Sequence, residues 1–235
     1  MKWPNKPAAD LAWGREISNR AAKELAALRL AKRLKDGDTV GVGSGSTSFL
    51  TLIALARRRE EDKLAFQAIP TSIEMELACA ALGISTTTLK AARPDWCFDG
   101  ADEVDPKGNM IKGRGGAMLR EKLVMSAAER IYIVIDSTKQ VSRLGQKFPV
   151  PVEVHPEAIQ LIETSLGKLP DVKTISLRQA VAKDGPVITE HGNVIFDVKF
   201  SKIDVKLEKT LKALPGVVES GLFIGFAPHI ISIKT

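Results

Sequence analysis

Apolar positions in the first 150 residues recur at two alternating periods. Ile17 to Leu34 is rich in alanine and leucine with basic residues on one side, which predicts a helix ending at Asp36-Gly37. Thr39-Val40-Gly41-Val42 reads as a short strand that runs into a glycine-rich turn. Phe49, Leu52, Ile53 and Ala56 then recur at helical spacing within Ser46 to Arg59. The alternation continues with a strand at Ala65 to Ile69, a helix at Ile73 to Leu82 and a strand at Thr86 to Leu89. A brief buried strand follows at Trp96 to Phe98, and a strongly apolar one at Ile131 to Ile135. Strands separated by helices imply βαβ units and a mainly parallel sheet with flanking helices, that is, an α/β architecture.

The pattern changes at Phe148-Pro149-Val150-Pro151, where two prolines suggest a hinge. Beyond it the order is strand (152–154), helix (156–166), strand (174–177), strand (194–198), helix (205–214) and strand (217–221). That β-α-β-β-α-β order is ferredoxin-like. The expected organisation is therefore an α/β domain over 1–149 and a smaller ferredoxin-like α+β domain over 150–223. The tail, 224–235, ends in a strand from His229 to Lys234 that rejoins the first sheet.

Composition narrows the classes. Hydrophobic residues make up 44% and charged residues 26% of 235 residues, which suits a soluble globular chain with a substantial core. The two cysteines, Cys79 and Cys97, have neither CxxC spacing nor nearby histidines, so a disulfide framework and a zinc ribbon are both excluded. Their sparseness suits a reducing compartment. No apolar run reaches the roughly 18 residues of a membrane span, and no apolar segment follows Lys2 and Lys6 as a secretory signal requires. The expected location is the cytoplasm. The net charge of +6 is spread along the chain and mixed with acids, as at Arg57-Arg58-Arg59-Glu60-Glu61-Asp62. With 5% aromatics there is no interleaving of rings and bases, so small anions are favoured over nucleic acid as partners.

Four segments could carry chemistry. Gly41 to Thr47 joins a strand to a helix, where glycines allow close approach and a helix N-terminus offers N–H groups to an anion. Ser44, Ser46 and Thr47 add hydroxyls. No lysine precedes the Ser/Thr as in a Walker loop, and Ser46 stands where a dinucleotide fingerprint needs its third glycine, so a small phosphate site is the better reading. Asp99-Gly-Ala-Asp102-Glu103 follows a strand and sets carboxylates at the sheet's functional edge. By itself the run could equally be a polar turn, and clustered carboxylates also suit magnesium. Lys112 leads through Gly113-Arg114-Gly115-Gly116 into a helix carrying Glu121. Read alone, Glu121 is an ordinary surface residue; among Leu119 and Leu123, desolvation could raise its pKa and make it a base. Asp136-Ser-Thr-Lys139 follows the strongest strand and directs Lys139 to the loop side. Three such loops, each after a parallel strand, are expected to converge on one pocket.

Gly-Ser-Gly-Ser-Thr (43–47), Asp-Gly-Ala-Asp-Glu (99–103), Lys-Gly-Arg-Gly-Gly-Ala-Met-Leu-Arg-Glu-Lys (112–122), Asp-Ser-Thr-Lys-Gln-Val (136–141), Pro-Val-Glu-Val (151–154) and Leu-Pro-Gly-Val-Val-Glu-Ser-Gly-Leu-Phe (214–223) occur in the order seen in type A ribose-5-phosphate isomerases. The resemblance runs from about Ala21 to Phe223. It implies an aldose–ketose isomerase of the non-oxidative pentose phosphate pathway, acting on a sugar phosphate through an enediolate. It also implies no metal and no organic cofactor, and a homodimer or homotetramer. Glu121 falls on the family's general base, and Asp99, Lys112 and Asp102 fall on its other catalytic positions. Ser44, Gly45, Ser46, Thr47, Gly100, Ala101, Gly113, Arg114, Gly115, Lys139 and Lys23 match substrate-binding positions. Arg114 stands where many members have glycine, and Met1 to Asn19 match little. The rivals are an amino-sugar-phosphate deaminase, a coenzyme A transferase and a non-catalytic sugar-phosphate sensor. The first would bring a histidine to the site, but all three histidines lie beyond residue 154. The sensor would need a DNA-binding helix-turn-helix, for which residues 1–40 leave little room.

Overall fold

A computed structural model describes Trp13 and residues 16–233; most of the N-terminal stretch read above for a signal lies outside them. In chain order its elements are α1 (Arg20–Ala31), β1 (Thr39–Val42), α2 (Ser46–Glu61), β2 (Gln67–Pro70), α3 (Ile73–Ala81), β3 (Ser85–Thr86), β4 (Trp96–Asp99), β5 (Glu103–Val104), β6 (Met110–Ile111), α4 (Met118–Ala127) and β7 (Arg130–Asp136). There follow β8 (Val150–Val154), α5 (Ile159–Gly167), β9 (Val172–Leu177), β10 (Val194–Phe200), α6 (Leu207–Lys212), β11 (Val217–Ser220), β12 (Leu222–Phe223) and β13 (His229–Ile233).

Two compact units result. Within the described residues, the first takes the chain up to Gly100, then Arg120–Thr138, then the stretch from Pro228; the second takes Ala101–Leu119 and Lys139–Ala227. Residues 101–119 and 139–149 thus pack with the ferredoxin-like sheet.

The first unit is a six-stranded sheet, ordered β13-β7-β4-β1-β2-β3, in which every pairing is parallel. Its tail strand does rejoin it, with His229 to Ile233 in register beside Tyr132 to Asp136. Strands covered on both faces need continuous apolar runs, and β4 is buried at all four positions. Helix α1 forms because alanine, leucine, arginine and lysine are strong helix formers. It buries Lys23, Ala26, Ala27, Leu30 and Ala31, a single stripe at i, i+3, i+4, i+7 and i+8. Chain order makes the sheet reverse: β2 and β3 build outward from one side of β1, and the chain then returns to lay β4 on the other side. The β1/β4 seam is the switch point, where open α/β sheets bind ligands at the carboxyl ends of the strands.

The second unit holds an antiparallel sheet ordered β11-β8-β10-β9, which is the ferredoxin-like order for the chain path β8-α5-β9-β10-α6-β11. Beside it in the same unit is a three-stranded antiparallel sheet, β12-β6-β5, that the periodicity does not reveal. Each of those strands has two residues, too few for an alternation to register. Two expectations need correcting. Val150-Pro151 lies inside a fully buried strand rather than a hinge, Pro151 standing opposite Asp197. A proline in a central strand costs a ladder bond, and Pro151 faces the β11 side just past the end of that strand, where its carbonyl accepts from Gly221 N at 2.7 Å. The loop carrying Lys112 follows β6 of the small antiparallel sheet, not a parallel strand.

Glu103, 0% exposed, shapes the second unit from inside. Its carboxylate accepts from Gly145 N (2.7 Å), Phe148 N (2.8 Å) and Lys147 N, so three backbone donors of the 145–148 loop end on one side chain. Glu103→Gln turns an acceptor into a donor facing those N–H groups. Urea unfolding should show a loss of about 1.5–3 kcal/mol, the range for hydrogen bonds to charged groups. An unchanged midpoint would mean the loop is held by something else.

Candidate active site

At the carboxyl end of the β1/β4 seam the backbone comes close because Gly43 has no side chain. Gly43 N donates to Phe98 O at 2.8 Å, and a Cβ built on Gly43 would lie 2.1 Å from Asp99 Cγ. Asp99 is 2% exposed, and its Oδ1 accepts from Gly100 N (2.7 Å) and Ser48 Oγ (3.3 Å). Ser48 belongs to the first turn of α2. That helix is capped by Gly45 at φ 88, a residue with no side chain to bond its first N–H groups, at the end of a helix that favours an anion. Ser44 Oγ lies 2.8 Å from Thr71 Oγ1, at the end of β2. Gly100 faces Thr47, whose Cβ would stand 3.7 Å from a Cβ on Gly100. The glycine-rich turn and Asp99 therefore share one edge of the first unit.

Lys23 joins them from α1. It is almost fully buried, with Nζ 3.5 Å from Ser46 Oγ and 3.4 Å from Ser18 Oγ, and its charge acts on Asp136 at the end of β7. Asp136 opens the segment in which the sequence points to Lys139. Burial by itself raises its pKa, but hydrogen bonds from Thr138 and Asn19, with the Lys23 charge, outweigh that and hold the carboxyl below the usual range. An aspartate ending a strand before Ser-Thr was the available signal, since such side chains bond the backbone two residues on. Glu121, 5% exposed, lies in the first turn of α4 and is not the ordinary surface residue its segment suggests. Its neighbour Arg120 ties the helix start to Pro70 O (3.0 Å) and Glu76 Oε1 (2.6 Å).

The remaining predicted residues lie in the second unit. Asp102 Oδ2 accepts from Arg114 N at 3.2 Å, so this acid braces the glycine loop. Lys112 is 3% exposed, with its N–H on Gly221 O (2.9 Å) and Nζ 5.6 Å from the centre of the Phe223 ring. Gly113 is buried while Arg114 and Gly115 are exposed, and Ala101 is half-buried. Lys139 closes a 3₁₀ turn with Nζ 4.9 Å from the Phe148 ring centre. Among the described residues no three His, Cys, Asp or Glu side chains are grouped to hold a metal ion. The Asp99–Glu103 run is divided: Asp99 serves the first sheet, Asp102 the glycine loop and Glu103 the 145–148 loop. A basic cavity of about 630 Å³, lined in part by Arg33, Asp38, Arg130 and Tyr132, lies at the opposite, amino-terminal edge of the parallel sheet.

Two outcomes are expected. Gly43→Ala must push Asp99 aside, lowering stability by about 1–3 kcal/mol in urea unfolding, as overpacking does; an unaffected variant would mean the two strands separate freely. Asp136 has a depressed folded-state pKa, so its contribution is full above the unfolded value of about 3.9 and is lost as pH falls through the folded value. Asp136→Asn should therefore be less stable than wild type at pH 7, with the gap closing below about pH 4. A gap independent of pH would assign the effect to packing.

The model of the ribose 5-phosphate isomerase A (phosphoriboisomerase A) family matches residues 67–234. A ribose-5-phosphate isomerase A from a Synechococcus species is 45% identical over 205 residues, covering 86% of this chain and 88% of that protein. The solved ribose 5-phosphate isomerase A of Methanocaldococcus jannaschii superposes with a TM-score of 0.87 at 36% identity, covering 92% of this chain and 95% of that one. A D-ribose-5-phosphate isomerase solved in complex with phospho-erythronic acid gives 0.89 at 36% identity, covering 93% and 96%. With 71% of the chain inside the family model and close to nine-tenths aligned to relatives well above 30% identity, the chain belongs to the ribose 5-phosphate isomerase A family.

Proposed function

We propose that this chain interconverts D-ribose 5-phosphate and D-ribulose 5-phosphate through an enediolate, with Glu121 as the proton-shuttling base and no metal or organic cofactor. The observation that carries the roles is the burial of three ionisable side chains, Asp99, Glu121 and Lys112, in motifs shared with the family. Burying charge is costly unless it is paired or used, and active sites are where such groups accumulate.

In the aldose-to-ketose direction Glu121 takes the proton from C2, and the C–H electron pair becomes the C1–C2 double bond. The carbonyl oxygen at C1 gains negative charge, which Lys112 stabilises. Asp99 moves a hydroxyl proton from O2 to O1 and assists ring opening. Glu121 then returns its proton to C1, leaving the carbonyl at C2. Asp102 orients the sugar through the loop it braces, assisted by Gly100, Ala101, Gly113, Arg114 and Gly115. The phosphate is read by Ser44 to Thr47 at the start of α2 with Lys23, and Lys139 adds a further cation. The phospho-erythronic acid bound by a relative supports this scheme, because a phosphorylated sugar acid has a planar carboxylate where the enediolate is planar. The motif resemblance supports a homodimer or homotetramer, and the two buried cysteines, neither of them in a disulfide, support a cytoplasmic setting. No helix among the described residues is long and apolar enough to cross a membrane.

The deciding experiment follows ribulose 5-phosphate formation from ribose 5-phosphate in EDTA, together with exchange of the C2 proton into deuterated solvent. Wild type should be fully active in EDTA. Glu121→Gln keeps the size of the side chain but cannot accept the proton, so kcat should fall about 10²–10⁴-fold with little change in KM. Exchange at the wild-type rate in that variant would remove Glu121 from the role. Activity lost in EDTA and restored by magnesium or manganese would turn the acids into ligands.

A further inference from the structure

The loop after Lys112 has three glycines in four residues, and Gly113 and Gly116 sit at φ +100 and +82. Such a segment loses more conformational entropy on ordering than any other, and beyond its turn bond from Gly116 N to Gly113 O (3.0 Å) it is held by bonds from outside. The second unit supplies them from one guanidinium. Arg178 Nη1 donates to Gly113 O at 2.9 Å and to Arg114 O at 3.0 Å, two consecutive carbonyls. The rest of the fork is engaged by Asp197 on β10, through Nε to Oδ2 (2.8 Å) and Nη2 to Oδ1 (2.5 Å). Both side chains are mostly buried, at 16% and 21% exposure, which places the pair above an ordinary surface bridge in value. Arg178 is itself seated in the sheet, its N–H on Ile195 O (2.8 Å) and its carbonyl taking Val187 N (2.8 Å).

From this geometry we infer that Arg178, braced by Asp197, is a positioning residue that sets the Lys112–Gly116 loop; the inference rests on the role given to Lys112 above. Arg178 reaches no catalytic group in the second unit directly. It fixes the Gly113–Arg114 and Arg114–Gly115 peptide planes, while Asp102 holds the Arg114 N–H and Gly221 O holds the Lys112 N–H. Lysine could not do this work, because it is a point donor with no planar fork to join a carboxylate and two carbonyls at once. With the brace gone, the glycines let the loop spread over many conformations, and Lys112 meets the enediolate in only some of them.

The test is steady-state kinetics of wild type, Arg178→Ala, Arg178→Lys and Asp197→Asn, each with its urea midpoint. An active wild type establishes the reaction, so failure of the assay there speaks against the function and not against the clamp. Misplacing a catalytic group by about 1 Å costs up to about 100-fold. Arg178→Ala should therefore lose about 10- to 100-fold in kcat with a smaller change in KM, and millimolar guanidinium should restore part of it. Arg178→Lys should recover little, and Asp197→Asn should fall between wild type and Arg178→Ala. A folded Arg178→Ala with kcat within twofold of wild type overturns the inference, as does a loss that guanidinium leaves untouched while tracking only the folded fraction. If Arg178→Ala does not fold, Arg178→Lys decides: wild-type kcat there overturns the clamp.

Discussion

The parallel sheet depends on two glycines, one inside its first strand and one just past its end. A Cβ on Gly41 would lie 2.4 Å from Val124 Cγ1 and 2.6 Å from Cys97 Cβ, and one on Gly43 would overlap the Asp99 carboxyl. At Gly41, α4 and β4 close on the same point of β1, so helix and strand are both referred to that backbone. One turn of pleat later, Gly43 lets the carboxyl group of Asp99 occupy the space that a side chain would take. Contact distances below 3 Å leave no room for compromise, because packed interiors yield by tenths of an ångström. The seam where strand order reverses is thereby a place where the backbone is tightly set and the Asp99 carboxyl closely confined.

Buried acids elsewhere act on loops in the same spirit. Glu103 gathers three N–H groups from residues 145–148, and Glu153, buried on β8, accepts from Thr189 Oγ1 (2.8 Å) and Asn193 Nδ2 (2.9 Å). A carboxylate offers several acceptor sites from one point, so it can order a segment that has no regular ladder. Irregular backbone is where this unit needs such help, since its three-stranded sheet offers only two residues per strand.

Much of this was legible along the chain. Strands β1, β2, β4 and β7 stood out because each is a short apolar run between helical periods, and the tail strand because isoleucines recur from His229 to Ile233; β3, read at Thr86 to Leu89, is Ser85–Thr86, two exposed polar residues that carry no apolar signal. The order of the ferredoxin-like elements was also readable, although Pro151 was not, because a proline signals a break unless the neighbouring strand is known to end beside it. The two-residue strands β5, β6 and β12 carry no period and could not be seen. At the site, motif resemblance brought Asp99, Lys112 and Glu121 forward, while Glu121 by spacing alone looked like surface. Arg178 and Asp197 were invisible for a different reason. They are nineteen residues apart in chain, Arg178 acts on carbonyls some sixty-five residues away, and a contact with backbone leaves no side-chain pattern to find.

The first unit is assembled from three separate stretches of chain, with the second unit's residues between them. Its sheet has β4 and β1 early, β7 only after the 101–119 excursion, and β13 only after Lys139–Ala227 has been made. On a ribosome, the edge of β7 therefore waits with its backbone groups open while a whole ferredoxin-like unit is synthesised. Pairings separated by that much chain close slowly, since the loop entropy comes due before the contact exists. An exposed strand edge held open through that interval is a surface for mispairing with another nascent chain.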